Sequence, residues 1–154
     1  MSHLEHAHLE QSHLDHAQLN NSYLQGTHLE DTHLYHVNLS QADLSRAHLV
    51  HAYLYRADLS DANLERANLF SAYLHRTNLE RANLFRTNLI AAQHLSPSQL
   101  KSACYWESAF YQGHWEPERG KWIVNEKANQ HYLEQLKRNK ASDPQKPVDC
   151  SRWE

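Results

Sequence analysis

Histidine is the residue type in this sequence with the most chemistry to offer, and it is concentrated near the N-terminus. Ten of the fourteen histidines lie within the first 51 residues. Three of them, His8, His28 and His48, are twenty residues apart, so a chain that returned above itself at that interval would stack them. Imidazole nitrogens bind Zn, Cu and Ni, and stacked rings could share one divalent ion. No cysteine or carboxylate completes a closed set with this ladder, which favours the interpretation that these are surface histidines.

Charge in the same segment is unevenly distributed. Residues 1–45 contain six acidic residues and eight histidines, and they contain no lysine or arginine. Because histidine gains a proton between roughly pH 7 and 5, this end of the chain would pass from net negative to net positive over that range. A metal-responsive or pH-responsive module is therefore one hypothesis for function, with self-association that depends on pH.

Arginines and outward aromatic residues mark the region that follows. At twenty-residue spacing, one set of three arginines falls on one edge, and Arg56 and Arg76 fall on another. Such ladders are either solvated side chains or contacts to phosphate, but a formal net charge of -3 and the lack of interleaved aromatic residues make nucleic acid an unfavoured partner. A mixture of cationic and apolar positions is more typical of a protein-binding face. The residues predicted for that face are Arg46, Arg66, Arg86, Phe70, Phe85, Trp106 and Trp115.

The usual arrangements of an enzyme active site are missing from the sequence. No histidine stands beside an evident nucleophile, and no paired buried carboxylates, glycine-rich phosphate loop or cysteine motif occurs. We therefore expect a protein without catalytic activity and without a cofactor. An interaction scaffold with an unknown protein partner is the leading hypothesis, and the metal- or pH-responsive module is the alternative.

A strict leucine repeat must position all of these side chains. Leucine occurs at every fifth position from Leu4 to Leu89, eighteen times without a gap. On a helix, at about 100° per residue, these leucines would spiral around the axis, and on a flat strand they would alternate between faces. All of them point inward only if the chain turns a corner once per repeat. Corners of about 90° return the chain above its start after four repeats, so the pattern predicts a square solenoid.

Two further columns of residues agree with a solenoid. The residue two positions before each leucine, as at Ala7 and Val37, is never larger than valine, as a second inward position at a crowded corner requires. The residue directly before leucine is polar or aromatic, and it is often asparagine or aspartate. These two side chains hydrogen-bond to nearby backbone and tolerate turn conformations, which would allow corners without glycine.

The repeat units also resemble a known family. Ala42-Asp43-Leu44-Ser45-Arg46 and Ala62-Asn63-Leu64-Glu65-Arg66 are similar to the A(D/N)LXX consensus of the pentapeptide-repeat family. The resemblance implies an all-β solenoid, a right-handed quadrilateral β-helix with four repeats per coil, so that eighteen repeats make about 4.5 coils. Some members of that family mimic duplex DNA and bind DNA gyrase. Such mimicry needs a continuous acidic surface, and the arginines after residue 45 argue against it in this chain.

The chain after residue 92 has a different character and is predicted to cap the column. Ser96-Pro97-Ser98-Gln99 has the pattern of a helix N-terminus with a capping box, and a short helix carrying Leu100 would lie across the last coil. Residues 116–120 form a predicted turn into an extended segment at 121–124, and Asn125 is placed to cap a helix from residue 126 to about 140. Four aromatic residues either cover the open end of the leucine column or form an adhesive surface: Trp106, Phe110, Trp115 and Trp122.

The sequence therefore divides into three parts. These are a β-helical column over residues 2–92, a cap with one or two helices over residues 93–141, and a tail over residues 142–154. The tail contains Pro144 and Pro147 without any periodicity and is predicted to be disordered. The first coil has no evident cap, so a homodimer could form through that coil or through the helix that starts at residue 126.

The cysteines and the lack of apolar segments suggest a compartment. Cys104 and Cys150 are too few for a disulfide framework and are predicted to be free thiols in a reducing environment. No apolar run approaches the ~18 residues that indicate a membrane span. The N-terminus lacks the basic start and apolar stretch of a signal peptide. A soluble cytoplasmic protein is the expected setting.

Overall fold

Backbone pairing in the computed structural model, which describes all 154 residues, has a period of twenty residues. Parallel bridges join each residue that precedes a leucine to its counterpart one coil higher, as in His8↔His28, and they continue up the column to Tyr73↔Gln93. The pairs are single-residue bridges rather than long strands because the chain turns in every repeat. The chain winds as a four-sided parallel β-helix, and the square solenoid predicted from the leucine spacing is confirmed.

Each corner of the column contains one residue in the left-handed backbone region. It lies two positions after the leucine, where φ is between 53° and 63° in all eighteen repeats, and seventeen of these residues are not glycine. The N–H of the next residue closes the turn by donating to the leucine carbonyl, as from Ala7 to Leu4 at 3.0 Å. A left-handed conformation costs a non-glycine residue about 1–2 kcal/mol. Leucine burial and hydrogen bonds between coils must offset these many small strains.

Asparagine and aspartate brace the corners rather than forming them, which corrects part of the prediction. Only Asn21, Asp31 and Asp61 occupy the left-handed position in the column. An asparagine or aspartate before the leucine instead accepts from the backbone N–H two residues later, as Asn63 Oδ1 does from Glu65 at 3.2 Å. Eight residues make this bond: Asn38, Asp43, Asp58, Asn63, Asn68, Asn78, Asn83 and Asn88.

Leucines and small side chains fill the interior of the column. Every repeat leucine from Leu24 to Leu89 is at most 3% exposed, whereas those of the first coil are half-buried. From Ser22 onward the small column is buried as well, and its threonines use their hydroxyls internally. Thr77 Oγ1, for example, donates to the Leu54 carbonyl at 2.7 Å. Functional groups must therefore lie on the outside of the column.

A short helix crosses the C-terminal end of the column. Helix α1 spans Pro97–Lys101, and the predicted capping box is present. Leu100 is completely buried in the same cluster as the column leucines. The Gln99 amide donates to the Leu74 and Thr77 carbonyls, both at 2.9 Å. It thereby satisfies backbone groups at the top of the column, where buried carbonyls need partners.

A β-hairpin and a longer helix follow α1. Strands β1 (Gly113–Glu116) and β2 (Lys121–Val124) pair antiparallel. Helix α2 spans Glu126–Arg138 with Asn125 as its N-cap, and Leu133 packs its apolar stripe into the core cluster. None of the helices combines the length and the apolar character that a membrane crossing requires. Three 3-10 helices complete the secondary structure, at Trp106–Ser108, Lys140–Ser142 and Ser151–Trp153.

The four aromatic residues predicted to cover the end of the column do not lie together. Trp106 packs against the core, and Phe110 pairs with the last coil. The Trp122 ring instead lies on the side of the column, with its centroid 3.9 Å from that of Phe70, and Trp115 lies beside Trp122. These two tryptophans are on the hairpin, which packs along the flank of the column rather than across its end.

The C-terminal segment, predicted to be disordered, is folded against the column. Cys104 and Cys150 form a disulfide with Cα atoms 5.8 Å apart, so the prediction of free thiols is wrong. The Trp153 indole N–H donates to the Arg81 carbonyl at 2.8 Å. Both contacts join residues that are far apart in the sequence, which is why the local composition of the tail did not reveal them.

Candidate functional site

One face of the column contains the predicted histidine ladder. We call it face 2, and it comprises the units of Leu9, Leu29, Leu49, Leu69 and Leu89. The rings of His8 and His28 are stacked with centroids 4.6 Å apart and planes 8° apart. Those of His28 and His48 are stacked at 4.5 Å and 12°. The ladder expected from the twenty-residue spacing is therefore present.

Two carboxylates lie beside this ladder and extend it to groups of three possible ligands, although no fourth side chain closes either group. Glu10 and Glu30 follow His8 and His28 by two residues, across an inward leucine, and residues two apart on an extended chain point to the same side. His8 Nδ1 is 2.8 Å from Glu10 Oε1. Glu30 Oε1 is 3.4 Å from His28 Nδ1 and 3.8 Å from His48 Nδ1. The sequence signal was the triplet His-Leu-Glu, which occurs at residues 8–10 and again twenty residues later at 28–30. It is recognised only when the histidine column is compared with the column two residues further along the chain.

We call His8, Glu10, His28, Glu30 and His48 the His–Glu strip. The potential ligand atoms of His28, Glu30 and His48 lie within 4.8 Å of one another, as do those of His8, Glu10 and His28. All members of the first group are half-buried, and Glu30 Oε2 is buried without a hydrogen-bond partner. Hydrogen bonding from His8 holds the pKa of the Glu10 carboxyl below its usual range. The strip thus offers nitrogen and anionic oxygen donors to a cation.

A third cluster of similar composition lies on the neighbouring face. The ligand atoms of His13, Asp15 and His33 are also within 4.8 Å of one another. Asp15 Oδ1, however, accepts from the Tyr35 backbone N–H at 2.9 Å. One oxygen of this carboxylate is therefore already used by the fold.

The predicted arginine edge follows the corner that leads into face 2. Arg46, Arg66 and Arg86 are exposed there, and each occupies the left-handed corner position. Phe85 precedes Arg86 on the same corner and is 38% exposed, with its ring 6.1 Å from that of Tyr105. This edge combines cationic and aromatic side chains.

The corner that leaves face 2 is apolar in its upper part. Phe70 lies there beneath Trp122, and Trp115 is 5.4 Å from Trp122 and 46% exposed. Trp106 is separate from this edge, because it packs in the cap and its carbonyl accepts from the Tyr111 hydroxyl at 2.6 Å. The structure thus places all the predicted interaction residues except Trp106 along the two edges of face 2.

An aromatic groove on the adjacent face was not predicted. Its volume is about 360 Å³, and it is lined by Tyr35, Tyr53, Tyr55, Tyr73, His75 and His94. The rings of Tyr53 and Tyr73 stack at 4.8 Å with planes 2° apart, and those of Tyr55 and His75 stack at 5.4 Å. The available signal was the recurrence of tyrosine on both sides of the leucine in successive coils.

One sequence family matches the repeat region. The sequence model described as Pentapeptide repeats matches residues 2–31, 32–69 and 62–93, in eight copies. These matches together cover more than half of the chain. A search among curated proteins finds no match.

Solved structures of three proteins are similar to this one. HetL, a pentapeptide repeat protein involved in heterocyst differentiation regulation in the cyanobacterium Nostoc sp. strain PCC 7120, is 38% identical with a TM-score of 0.58; the match covers 58% of this chain and 38% of HetL. Rfr23, a pentapeptide repeat protein from the cyanobacterium Cyanothece 51142, is 29% identical over 69% of this chain and 65% of its own, with a TM-score of 0.32. QnrB1, a plasmid-mediated fluoroquinolone resistance protein, is 18% identical over 71% of this chain and 60% of its own, with a TM-score of 0.31. The chain spans less than two thirds of the length of each of them.

Proposed function

Because the chain belongs to the pentapeptide-repeat family, whose fold is a right-handed quadrilateral β-helix, we propose that it is a non-enzymatic scaffold that binds a protein partner. Proteins of this family are generally structural or interaction proteins rather than enzymes. We place the binding surface on the two edges of face 2.

One observation carries this proposal: cationic and aromatic side chains are exposed on edges that flank a single rigid face. Arg66 and Arg86 lie on one edge beside Phe85, and Trp115 lies by the other edge. Tryptophan and arginine are enriched among the few interface residues that dominate binding energy. The buried leucine core keeps the backbone at these positions rigid, so little backbone entropy is lost on binding. Preorganisation of this kind favours affinity.

The finer architecture of the scaffold is part of the proposal. We infer about 4.5 coils, from eighteen repeats at four per coil, closed at the C-terminal end by a helical cap. The burial of Leu100, Leu133 and Leu136 with the column leucines supports the cap. The backbone bridges Asn83↔Cys104 and Asn88↔Phe110 support it as well, because they continue the ladder beyond the repeats.

Variants on the two edges of face 2 test the scaffold proposal. The chain is immobilised, partners are captured from the source organism, and the affinity of the purified partner is measured for Phe85→Ala/Arg86→Ala and for Trp115→Ala. Loss of interface residues that dominate binding costs 2 kcal/mol or more, so we expect roughly a thirtyfold weaker complex with at least one variant.

The matched control for this test is Arg56→Ala/Arg76→Ala, which removes two arginines from a corner that does not border face 2. We expect it to bind the partner like the unmodified chain. Equal affinity of all variants, or a loss confined to the control, would contradict the placement of the surface on face 2.

A DNA-mimic function has less support than the scaffold. Duplex DNA presents a continuous negative charge, whereas the column has exposed arginines in its upper coils. They are Arg46, Arg56, Arg66, Arg76 and Arg86.

Self-association through the first coil remains a second part of the proposal. The first-coil leucines, Leu4, Leu9, Leu14 and Leu19, are half-buried, so contact with another surface would bury more apolar area. The alternative through α2 has less support, because Leu133 and Leu136 of that helix already pack in the core. Sedimentation equilibrium is expected to show a dimer, and Leu9→Glu is expected to yield a monomer. A monomer at all concentrations of the unmodified chain would refute it.

A further inference from the structure

We propose that His28, Glu30 and His48 of the His–Glu strip form a binding site for a divalent ion of the late first-row transition metals, with Zn²⁺ as the representative ion. This inference does not depend on the scaffold proposal. Two imidazoles and one carboxylate form a donor set that suits zinc, and three protein ligands leave one coordination position for water.

The distances between the donor atoms are close to those that zinc requires. Two ligand atoms at about 2.0–2.1 Å from a tetrahedral ion lie about 3.4 Å from each other. Glu30 Oε1 is 3.4 Å from His28 Nδ1 and 3.8 Å from His48 Nδ1. Two of the three pairs therefore need to move by a few tenths of an ångström at most.

The two histidine rings must rotate for the ion to enter. They are nearly parallel, with planes 12° apart, and an ion midway between them would lie outside the plane of each ring. Their side chains are 31% and 46% exposed, so each ring has open space on its solvent side. Rotation of the His28 ring breaks its stacking on His8, whose centroid is 4.6 Å away. The inward leucine between His28 and Glu30 keeps the backbone fixed while the rings turn.

The charge around Glu30 supports a cation at this position. Glu30 Oε2 is buried without a hydrogen-bond partner, and residues 1–45 contain no lysine or arginine. Burying a carboxylate oxygen without a hydrogen bond is costly. A divalent ion bound by Glu30 would supply positive charge next to this carboxylate while the two histidines stay neutral.

The lower rung of the strip is a weaker alternative position. His8, Glu10 and His28 have the same donor set, but His8 and Glu10 are exposed, whereas His28, Glu30 and His48 are all half-buried. His28 belongs to both groups, and two divalent ions held one rung apart would repel each other. We therefore expect a single ion on face 2, bound between His28 and His48.

The ladder itself provides substitutions that preserve the fold. Asn68 and Asn88 occupy the same column as His28 and His48 in the next two coils, so His28→Asn and His48→Asn introduce a residue that this column already contains. Glu30→Gln removes the anionic donor with little change in shape. His33→Tyr is the matched control, because it introduces the residue present at Tyr53 in its own column and disrupts only the cluster on the neighbouring face.

Calorimetric titration of the tag-free, chelator-treated chain with Zn²⁺ tests the site. We expect one equivalent to bind with Kd below about 1 μM, and Co²⁺ to give the visible absorption of a tetrahedral complex. His28→Asn, His48→Asn and Glu30→Gln should each weaken binding by at least about tenfold, since even outer-shell changes at metal sites have effects of that size. His33→Tyr should bind like the unmodified chain.

Three outcomes would overturn the proposal. They are a Kd for the unmodified chain weaker than about 1 μM, unchanged binding by both His48→Asn and Glu30→Gln, and a loss of binding caused by His33→Tyr instead. Circular dichroism of each metal-free variant separates loss of the site from loss of the fold. Protection from heat denaturation by Zn²⁺ in the unmodified chain, absent in His48→Asn, provides a second readout.

Discussion

The lower and upper coils of the column use the position before the leucine in opposite ways. In the upper coils asparagine and aspartate side chains bond back to the backbone, and Asn63 Oδ1, for example, accepts from the Glu65 N–H at 3.2 Å. The same residues also join one coil to the next, as when Asn83 Nδ2 donates to Asn63 Oδ1 at 3.0 Å. In the lower coils histidine rings stack outward and face carboxylates, as His8 does with Glu10.

The difference shows that the fold does not depend on one residue type at this position. Backbone pairing between coils is the same in both halves, from His3↔Tyr23 to Tyr73↔Gln93. The side-chain hydrogen bonds that brace the corners therefore add to the backbone pairing between coils and are not required for it. Where they are absent, the position is free for binding.

Substitutions in the leucine core are expected to show the largest difference in stability between the lower and upper coils. Leu54→Ala removes a side chain that is completely buried and is expected to lower the free energy of unfolding by about 2–5 kcal/mol. Leu9→Ala, at a half-buried position in the first coil, should cost clearly less, because water already reaches that site. Urea denaturation followed by circular dichroism measures both. Equal losses would show that the two halves are packed alike.

The residues before the leucine provide the next test. Asn63→Ala removes one bond to the Glu65 N–H and two bonds to the neighbouring coils, with Asp43 and Asn83, and should cost about 1–3 kcal/mol. His8→Ala, in the exposed part of the strip, should change stability by less than about 0.5 kcal/mol in metal-free buffer. A destabilisation by His8→Ala as large as that by Asn63→Ala would mean that ring stacking also braces the corners.

A carboxylate paired between coils provides the smallest and most specific test. Asp61 pairs with Arg81 through two bonds, of 2.9 and 2.7 Å, and hydrogen bonding from Arg81 lowers the pKa of Asp61. A lowered pKa in the folded state adds stability at neutral pH, and this is lost as pH falls below about 4. Because Arg81 is partly exposed, Asp61→Asn should cost under about 1 kcal/mol.

This prediction is checked by measuring unfolding of both chains between pH 7 and 3. The difference between them should be largest near neutral pH and should shrink as the solution is acidified through the pKa of Asp61. Glu80→Gln is the control, because Glu80 contacts the same arginine but is more exposed. A difference that grows on acidification would contradict the assigned ion pair.

Much of the fold could be predicted because its signals are local or strictly periodic. The spacing of leucine alone leads to the column, and the capping residues Ser96 and Asn125 mark the starts of α1 and α2. The Cys104–Cys150 disulfide could not be predicted, because it depends on how the tail returns to the column. The left-handed corner position was also missed, since it is occupied by residues as different as His6, Gln11 and Arg46 and has no composition of its own.

The sequence analysis predicted the candidate site only across the coils, as a histidine ladder, and not along the chain. The twenty-residue period places His8, His28 and His48 in one column and Glu10 and Glu30 in another. It does not show that these two columns, which are two residues apart along the chain, bring their side chains together. A site on a solenoid is two-dimensional, with one axis along the chain and one across the coils. Both axes must be searched to find a complete set of ligands.

The four-sided winding, with five residues per side, separates the shape of the molecule from the pattern on its surface. An insertion of five residues between His28 and His48 would leave every leucine inward, yet it would turn all later faces by a quarter of a revolution. His48 would then stand on the face next to His28. An insertion of twenty residues would lengthen the column and keep the faces aligned. Changes in repeat number can therefore rearrange what the surface displays while the interior remains the same.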